Sequence, residues 1–203
     1  MLVTKIEAVT KTKYKVFLDE QFAFVLYKGE LSRYYIKEEA EVTPEVYAKI
    51  REEVVLKRAK LRVMHLLQDM DRSEEQLRLK LKQSLYTEDI IEAALQYVKS
   101  FGYIDDSNYA RRFVESRKKT KSKKEIYAAL CQKGIDKYTI QEALELCYKD
   151  VDEKDAIQKL IEKKHVEIDN MSDKEKKKIC EYLMRKGFRY DDICRVIQVI
   201  QVS

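Results

Sequence analysis

The residues best placed to do chemistry are cations. Between positions 111 and 124 stand Arg111, Arg112, Arg117, Lys118, Lys119, Lys121, Lys123 and Lys124, with Glu115 as the one acid among them. A second basic run holds Lys174, Lys176, Lys177, Lys178, Arg185, Lys186 and Arg189 against Glu175 and Glu181. Glu142, Glu145, Asp150, Asp152, Glu153 and Asp155 form a mostly acidic stretch between the two. Dense positive charge suits contact with phosphates or with an acidic patch on a protein, and phosphate contacts orient a protein on nucleic acid without reading sequence. The plainer reading of a lysine run is a solvated face, and composition alone does not separate the two. Tyr103, Tyr109 and Tyr127 can stack on bases, although the helical spacing of Tyr109 also fits a core position.

Covalent and metal chemistry find little support. The chain has no phosphate-binding glycine loop, no Gly-x-Ser-x-Gly elbow and no His-Glu-x-x-His pair. Asp105 and Asp106 adjoin, as helix-start acids commonly do. His65 and His165 have no acid or nucleophile arranged beside them in sequence. Cys131, Cys147, Cys180 and Cys194 have no Cys-x-x-Cys spacing, so the expectation is buried, reduced core thiols. No catalytic residue, cofactor or metal ligand is therefore assigned.

The elements that must present these cations are mostly helices. Of 203 residues, 38% are charged and 45% hydrophobic, with one Pro and four Gly, a composition of long helices and short connections. The net charge is +5. No apolar run approaches the roughly 18 residues of a membrane span, and the N-terminus lacks the apolar segment of a signal peptide. A cytoplasmic monomer away from membranes is expected. Residues 1–43 differ from the rest. Residues 2–9 alternate, while Tyr14–Leu18 and Phe22–Tyr27 are rich in aromatic and β-branched residues, predicting a small antiparallel sheet to which residues 31–36 can add a strand. Thr43-Pro44 then reads as an N-cap and first helical position.

From there the chain repeats at about 50 residues. Ser73-Glu74-Glu75-Gln76, Ser122-Lys123-Lys124-Glu125 and Ser172-Asp173-Lys174-Glu175 each spell a capping box, in which a Ser hydroxyl accepts from the third amide and the Glu or Gln reaches back. Ile126 and Leu130 lead to Gly134, as Ile179 and Leu183 lead to Gly187, both glycines suiting a left-handed helix end. The first repeat has Leu77, Leu81, Leu85, Ile90 and Ala94, no Gly, and a turn expected to be about one residue shorter. A helix precedes each box, near 50–70, 105–119 and 153–165. The expected organisation is mainly α: residues 44–104, 105–151 and 152–203 as three tandem three-helix repeats, which must stack to complete their cores. The β element of residues 1–43 is expected to be an accessory that the repeats can fold without.

Between the first two repeats runs Gly102-Tyr103-Ile104-Asp105-Asp106-Ser107-Asn108-Tyr109-Ala110-Arg111-Arg112-Phe113-Val114-Glu115-Ser116-Arg117. Here one helix exits at Gly102, turns, and a new one starts at Asp105, with Tyr109, Phe113 and Ser116 expected to face inward. This stretch closely resembles the signature of the RecX family, a Gly-aromatic-aliphatic-Asp-Asp turn followed by an aromatic-Ala-Arg helix. Asp71-Arg72-Ser73 through Leu77 resembles the family's entry to its first repeat, with Gln76 where Glu is usual. Ile126 through Asp136 resembles its Leu-Lys-Gly-Ile element. The resemblance covers residues 57–200 and departs at Ser84-Leu85, where a Gly is missing.

It implies an elongated, curved array that binds the RecA filament on single-stranded DNA, limits its ATP hydrolysis, strand exchange or extension, and in some members binds DNA directly. On that view Arg111, Arg112, Arg117, Lys118, Lys119, Lys121, Lys123, Lys124, Lys176, Lys177, Arg185 and Lys186 are the candidate contacts with RecA or with single- or double-stranded DNA. The alternatives are a nonspecific DNA-binding repeat protein and a scaffold for another complex.

Overall fold

The computed structural model describes residues 1–149, 153–164 and 172–202, with side chains through Gln198. Strands β1 (Val3–Ala8), β2 (Lys13–Leu18) and β3 (Gln21–Tyr27) form an antiparallel sheet in the order β1-β2-β3. Asp19 and Glu20 join β2 to β3 with φ of 48° and 67°. Two positive φ values match the right-handed twist of a hairpin but strain non-glycine residues. Strand β1 holds them there: the Leu2 amide donates to Asp19 Oδ1 at 2.8 Å, and the Glu20 amide donates to Thr4 Oγ1 at 3.0 Å. A register shift between Val3 and Lys5 lets Val3 and Ile6, an odd number of residues apart, both face the core.

Residues 31–36 are not a strand. Helix α1 (Lys28–Arg33) follows β3 directly, with the Glu30 carboxylate accepting from the Tyr27 amide at 2.7 Å. This local bond outweighs the β-favouring side chains of Tyr34, Tyr35 and Ile36.

Thr43 caps α2 (Pro44–Lys49), its hydroxyl accepting from the Val46 amide. α2 continues through a π-helical stretch, Ile50–Leu56, into α3 (Lys57–Asp69), so the helix expected near 50–70 is continuous with the one that starts, as the Thr43-Pro44 signal predicts, at Pro44. Then come α4 (Glu74–Gln83), α5 (Glu88–Lys99), α6 (Asp106–Arg117), α7 (Lys123–Gln132), α8 (Lys137–Cys147), α9 (Lys154–Glu162), α10 (Asp173–Arg185) and α11 (Tyr190–Val202). The extra three residues of α10 relative to α4 are the additional turn that the offset of its capping box implies.

The chain divides into two compact units, residues 1–105 and 106–203. In the first, Val3, Val16, Leu18, Phe24, Leu26, Ile36 and Val42 belong to the same buried cluster as Val55, Ala59, Val63, Leu77, Leu81 and Leu95. Arg58 of α3 ties the two parts further, donating to the Val25 carbonyl at 3.1 Å and gripping Glu30 through both carboxylate oxygens. The sheet is therefore part of the first repeat's core and not an accessory to it. The second unit holds two clusters, one around Ala110, Val114, Ile126, Leu130 and Ile140, the other around Ala156, Ile157, Leu183, Ile193 and Val196.

The first-repeat turn is not shortened. Leu85 lies twelve residues after Ser73, as Gly134 lies after Ser122. It takes φ of 63°, beside 78° at Gly134 and 91° at Gly187. All three turns close alike, through Tyr86 N to Leu81 O, Ile135 N to Leu130 O and Phe188 N to Leu183 O, each at 3.2 Å. Ile91 and Leu95, fully buried, thus align with Ile140 and Leu144 in place of Ile90 and Ala94. The cysteines also depart from expectation. All four are free, Cys131 is exposed and the others are half-buried, so none is the buried core thiol expected; Leu130 takes the inward position beside Cys131.

Two outcomes are expected. A chain beginning at Thr43 removes seven core side chains, each worth about 1.5–3 kcal/mol when buried, against a typical domain stability of about 5–15 kcal/mol. It should lose the cooperative thermal transition of residues 1–105, measured by near-ultraviolet circular dichroism. Gly187→Val should destabilise by more than about 1 kcal/mol in denaturant titration. A Cβ there is strained at positive φ and meets Ser122 Oγ and Lys124 Cβ at 3.0 Å.

Candidate nucleic-acid and filament interface

The basic run of the second repeat starts on α6. Ala110, Phe113 and Val114 face the core, Tyr109 is half-buried and stacks on Phe113 with centroids 6.3 Å apart, and Ser116 is exposed. Ser116 is thus not an inward residue; its hydroxyl donates to the Phe113 carbonyl. Gly102, at φ of 73°, closes α5, and Asp105 immediately precedes α6, which opens on Asp106. Tyr103 is exposed, in a row of rings with Phe101 and Tyr97 whose successive centroids are 6.2 and 5.0 Å apart.

The eight cations of the run are not equivalent. Arg111 and Arg112 are exposed on α6. The Arg117 guanidinium lies over the Phe113 ring at 3.9 Å and donates to Ser116 Oγ. Lys118 turns inward: its side chain is 13% exposed, and its ammonium donates to Glu115 Oε1 at 2.9 Å and to the Cys147 carbonyl at 3.1 Å. That ammonium holds the Glu115 carboxyl below its usual range, while burial pushes the Cys147 thiol up. The linker after α6 is a hydrogen-bonded turn, with the Thr120 and Lys121 amides both donating to the Arg117 carbonyl. It presents Lys119 and Lys121 to solvent. Lys123 lies over the Tyr148 ring at 4.4 Å, and Lys124 is exposed.

The start of α7 brings the two basic runs together. Ser122 is fully buried. Its hydroxyl accepts from the Glu125 amide at 3.1 Å and donates to the Lys186 carbonyl, at the end of α10, at 2.6 Å. The expected second capping box is therefore half made within its own repeat. Glu125 turns instead toward the Lys186 ammonium at 3.5 Å. Glu153, which precedes α9, accepts from the next amide along the α7 start, that of Lys123, at 2.6 Å. A helix start leaves amides and a helix end leaves carbonyls without intrahelical partners, and here residues from two repeats satisfy both. Ser73 and Ser172 do form complete capping boxes.

Lys124 consequently lies beside Gly187, next to Lys186, with exposed Arg185 on the last turn of α10. Lys176, half-buried, and Lys177, exposed, sit two turns earlier on that helix. Sequence reasoning missed Glu153 by grouping it with an acidic stretch of which Asp150 and Asp152 lie outside the described residues. Nothing in the sequence marks it as a carboxylate that a neighbouring repeat buries. His165 also lies outside the described residues. Among the described residues, no group of three or more His, Cys, Asp or Glu can hold a metal ion, and no helix is long and apolar enough to cross a membrane.

By class this is a repeat-built protein of three-helix units with a basic surface assembled from two of them. Profiles for the first, second and third three-helix domains of RecX match residues 59–97, 105–144 and 152–197. A relative from Caldanaerobacter subterraneus subsp. tengcongensis, named Regulatory protein RecX, is 32% identical over 98% of this chain and 100% of its own length. One of the same name from Clostridioides difficile is 30% identical over 97% and 94%. A crystal structure of regulatory protein RecX superimposes with a TM-score of 0.60 at 25% identity, covering 96% of this chain and 98% of that one. RecX from Lactobacillus salivarius gives 0.61 at 26% identity, over 73% and 98%. The chain belongs to the RecX family.

Burial raises the Glu153 carboxyl above its ordinary 4.5 even though the Lys123 amide pulls it down. The folded chain then keeps this proton at a pH where the unfolded chain has released it. Its contribution to stability is full below about 4.5 and is lost as pH rises through the folded value. Glu153→Gln keeps an acceptor without the charge, so it should be at least as stable as the parent at pH 7 and should lose less stability between pH 4.5 and 7. Glu153→Ala leaves the Lys123 amide without its acceptor and should cost about 1–3 kcal/mol in denaturant titration.

Proposed function

We propose that this protein regulates the RecA recombinase by binding RecA filaments on single-stranded DNA and limiting their ATP hydrolysis, strand exchange or extension. It acts by occupancy. One observation carries the reading: in a member of a family whose named relatives are regulatory proteins, the α7 start and the α10 end are bonded together so that two basic runs meet in one surface. Such a surface suits the phosphates of the strand or acidic patches on the filament, and its lysines offer no base-reading arrangement.

RecA-catalysed, strand-stimulated ATP hydrolysis should fall with less than one of these chains per RecA subunit. Full activity in stoichiometric excess would contradict the reading. Replacing Lys119, Lys121, Lys124 and Arg185 together with Gln removes exposed cations while sparing Arg117 and Lys118, which are engaged with their own repeat. If all four meet phosphates, the log–log salt slope of single-strand affinity should become shallower by about 3 units, at roughly 0.7 per contact. If they meet RecA instead, inhibition weakens while binding to bare DNA holds. An unchanged variant on both measures leaves the two runs as a solvated face. A parent that binds DNA but never affects RecA is a nonspecific DNA-binding repeat protein.

A further inference from the structure

The first unit contains a cleft of about 540 Å³ that the two basic runs do not involve. Its floor is one face of α3, where Arg58, Leu61, Arg62 and His65 recur at helical spacing, turned away from the face that Ala59, Val63 and Leu66 bury. The sheet forms one wall, with Lys13 at its rim, and the α4–α5 turn forms the other with Leu85 and Tyr86. Four cationic or ionisable nitrogen side chains converge here, and no carboxylate is among the lining residues.

We propose that this cleft is a second nucleic-acid site, which holds a segment of a single strand by its phosphates. The proposal rests on the nucleic-acid half of the reading above and adds to it a site in residues 1–105. Two observations support it beyond charge. The first is Leu85. Repeats two and three place Gly at this left-handed position, whereas the first repeat keeps a large L-residue at φ of 63° and lines the cleft with its side chain. Strain of this kind persists where the surroundings enforce it and clusters at binding sites.

The second observation is the edge of β3. An extended acidic peptide would gain most of its affinity by adding a strand to a free edge. At this cleft the Val25 carbonyl already accepts from Arg58, and the Tyr27 amide already donates to Glu30. With these two edge groups taken, an added strand cannot form a continuous ladder here, and the cations and apolar walls suit a phosphodiester chain better than a peptide strand. Arg58, clamped to Glu30, builds the wall. Lys13, Arg62 and His65 are exposed and available to the ligand.

The test uses the full chain with Lys13, Arg62 and His65 all changed to Gln, sparing Arg58. Its binding to a fluorescent oligothymidylate is followed by anisotropy over a range of salt, with oligoglutamate as a second probe. The expected result is at least ten-fold weaker oligothymidylate binding at low salt, with the log–log salt slope shallower by about 1–2 units. Leu85→Gly, which relaxes the turn and removes part of the wall, should bind the oligothymidylate several-fold more weakly while keeping its thermal midpoint.

Unchanged oligothymidylate binding in the triple variant, while the α6–α10 variant weakens, overturns the cleft and leaves the broader reading intact. A parent chain that binds no oligothymidylate overturns both. Loss confined to oligoglutamate assigns the cleft to an acidic peptide and overturns the proposal.

Discussion

The buried Ser122 hydroxyl is the hinge-pin of residues 106–203. Helices shorter than four turns expose a large share of unpaired amides and carbonyls, and a stack of such helices is stable only if each buried end finds partners. Ser122 accepts from the first turn of α7 and donates to the Lys186 carbonyl that caps α10, while Glu153 takes a further α7 amide. The apolar clusters of repeats two and three are separate, so this polar joint fixes how the two meet. It also decides which cations share a surface, because Lys124, Arg185 and Lys186 are placed around it. Gly187 has no room for a side chain for the same reason.

Residues 1–105 solve a different problem. A small sheet needs a partner to cover its hydrophobic face, and a single three-helix repeat has an open face. Each covers the other: Phe24 and Leu26 of β3 join Val55, Ala59 and Val63 in one cluster, while Arg58 spans the join with a paired charge at its centre. Burying that arginine's contacts leaves its helical neighbours Arg62 and His65 on the open side of α3. The cleft is thus a consequence of how the sheet is docked, which the sequence of the sheet does not announce.

Much of this was legible in the sequence, for physical reasons that can be named. Capping boxes and left-handed glycines are local, so Ser73, Ser172, Gly134 and Gly187 marked helix ends correctly. What failed depended on distant partners. Residues 31–36 read as a strand because their side chains favour one, and Glu30 reversed that by bonding back to Tyr27. The second capping box looked like the others until Glu125 met Lys186 across repeats. Leu85 hid the first turn because only Gly advertises a positive φ in sequence. The basic runs were visible as composition, but Lys118 facing inward and Lys124 meeting Gly187 are facts of packing.

On the proposed function, the joint between repeats two and three sets the surface that would meet RecA and its DNA. Ser122 is fully buried and so cannot itself touch a partner. The most direct measurement is therefore the inhibition of RecA ATP hydrolysis on single-stranded DNA by a Ser122→Ala variant, at a temperature where circular dichroism shows it fully folded. The account predicts that several-fold more of the variant is needed for half-inhibition, with faster hydrogen exchange at the Glu125 amide. Inhibition equal to that of the parent, alongside that faster exchange, would contradict it.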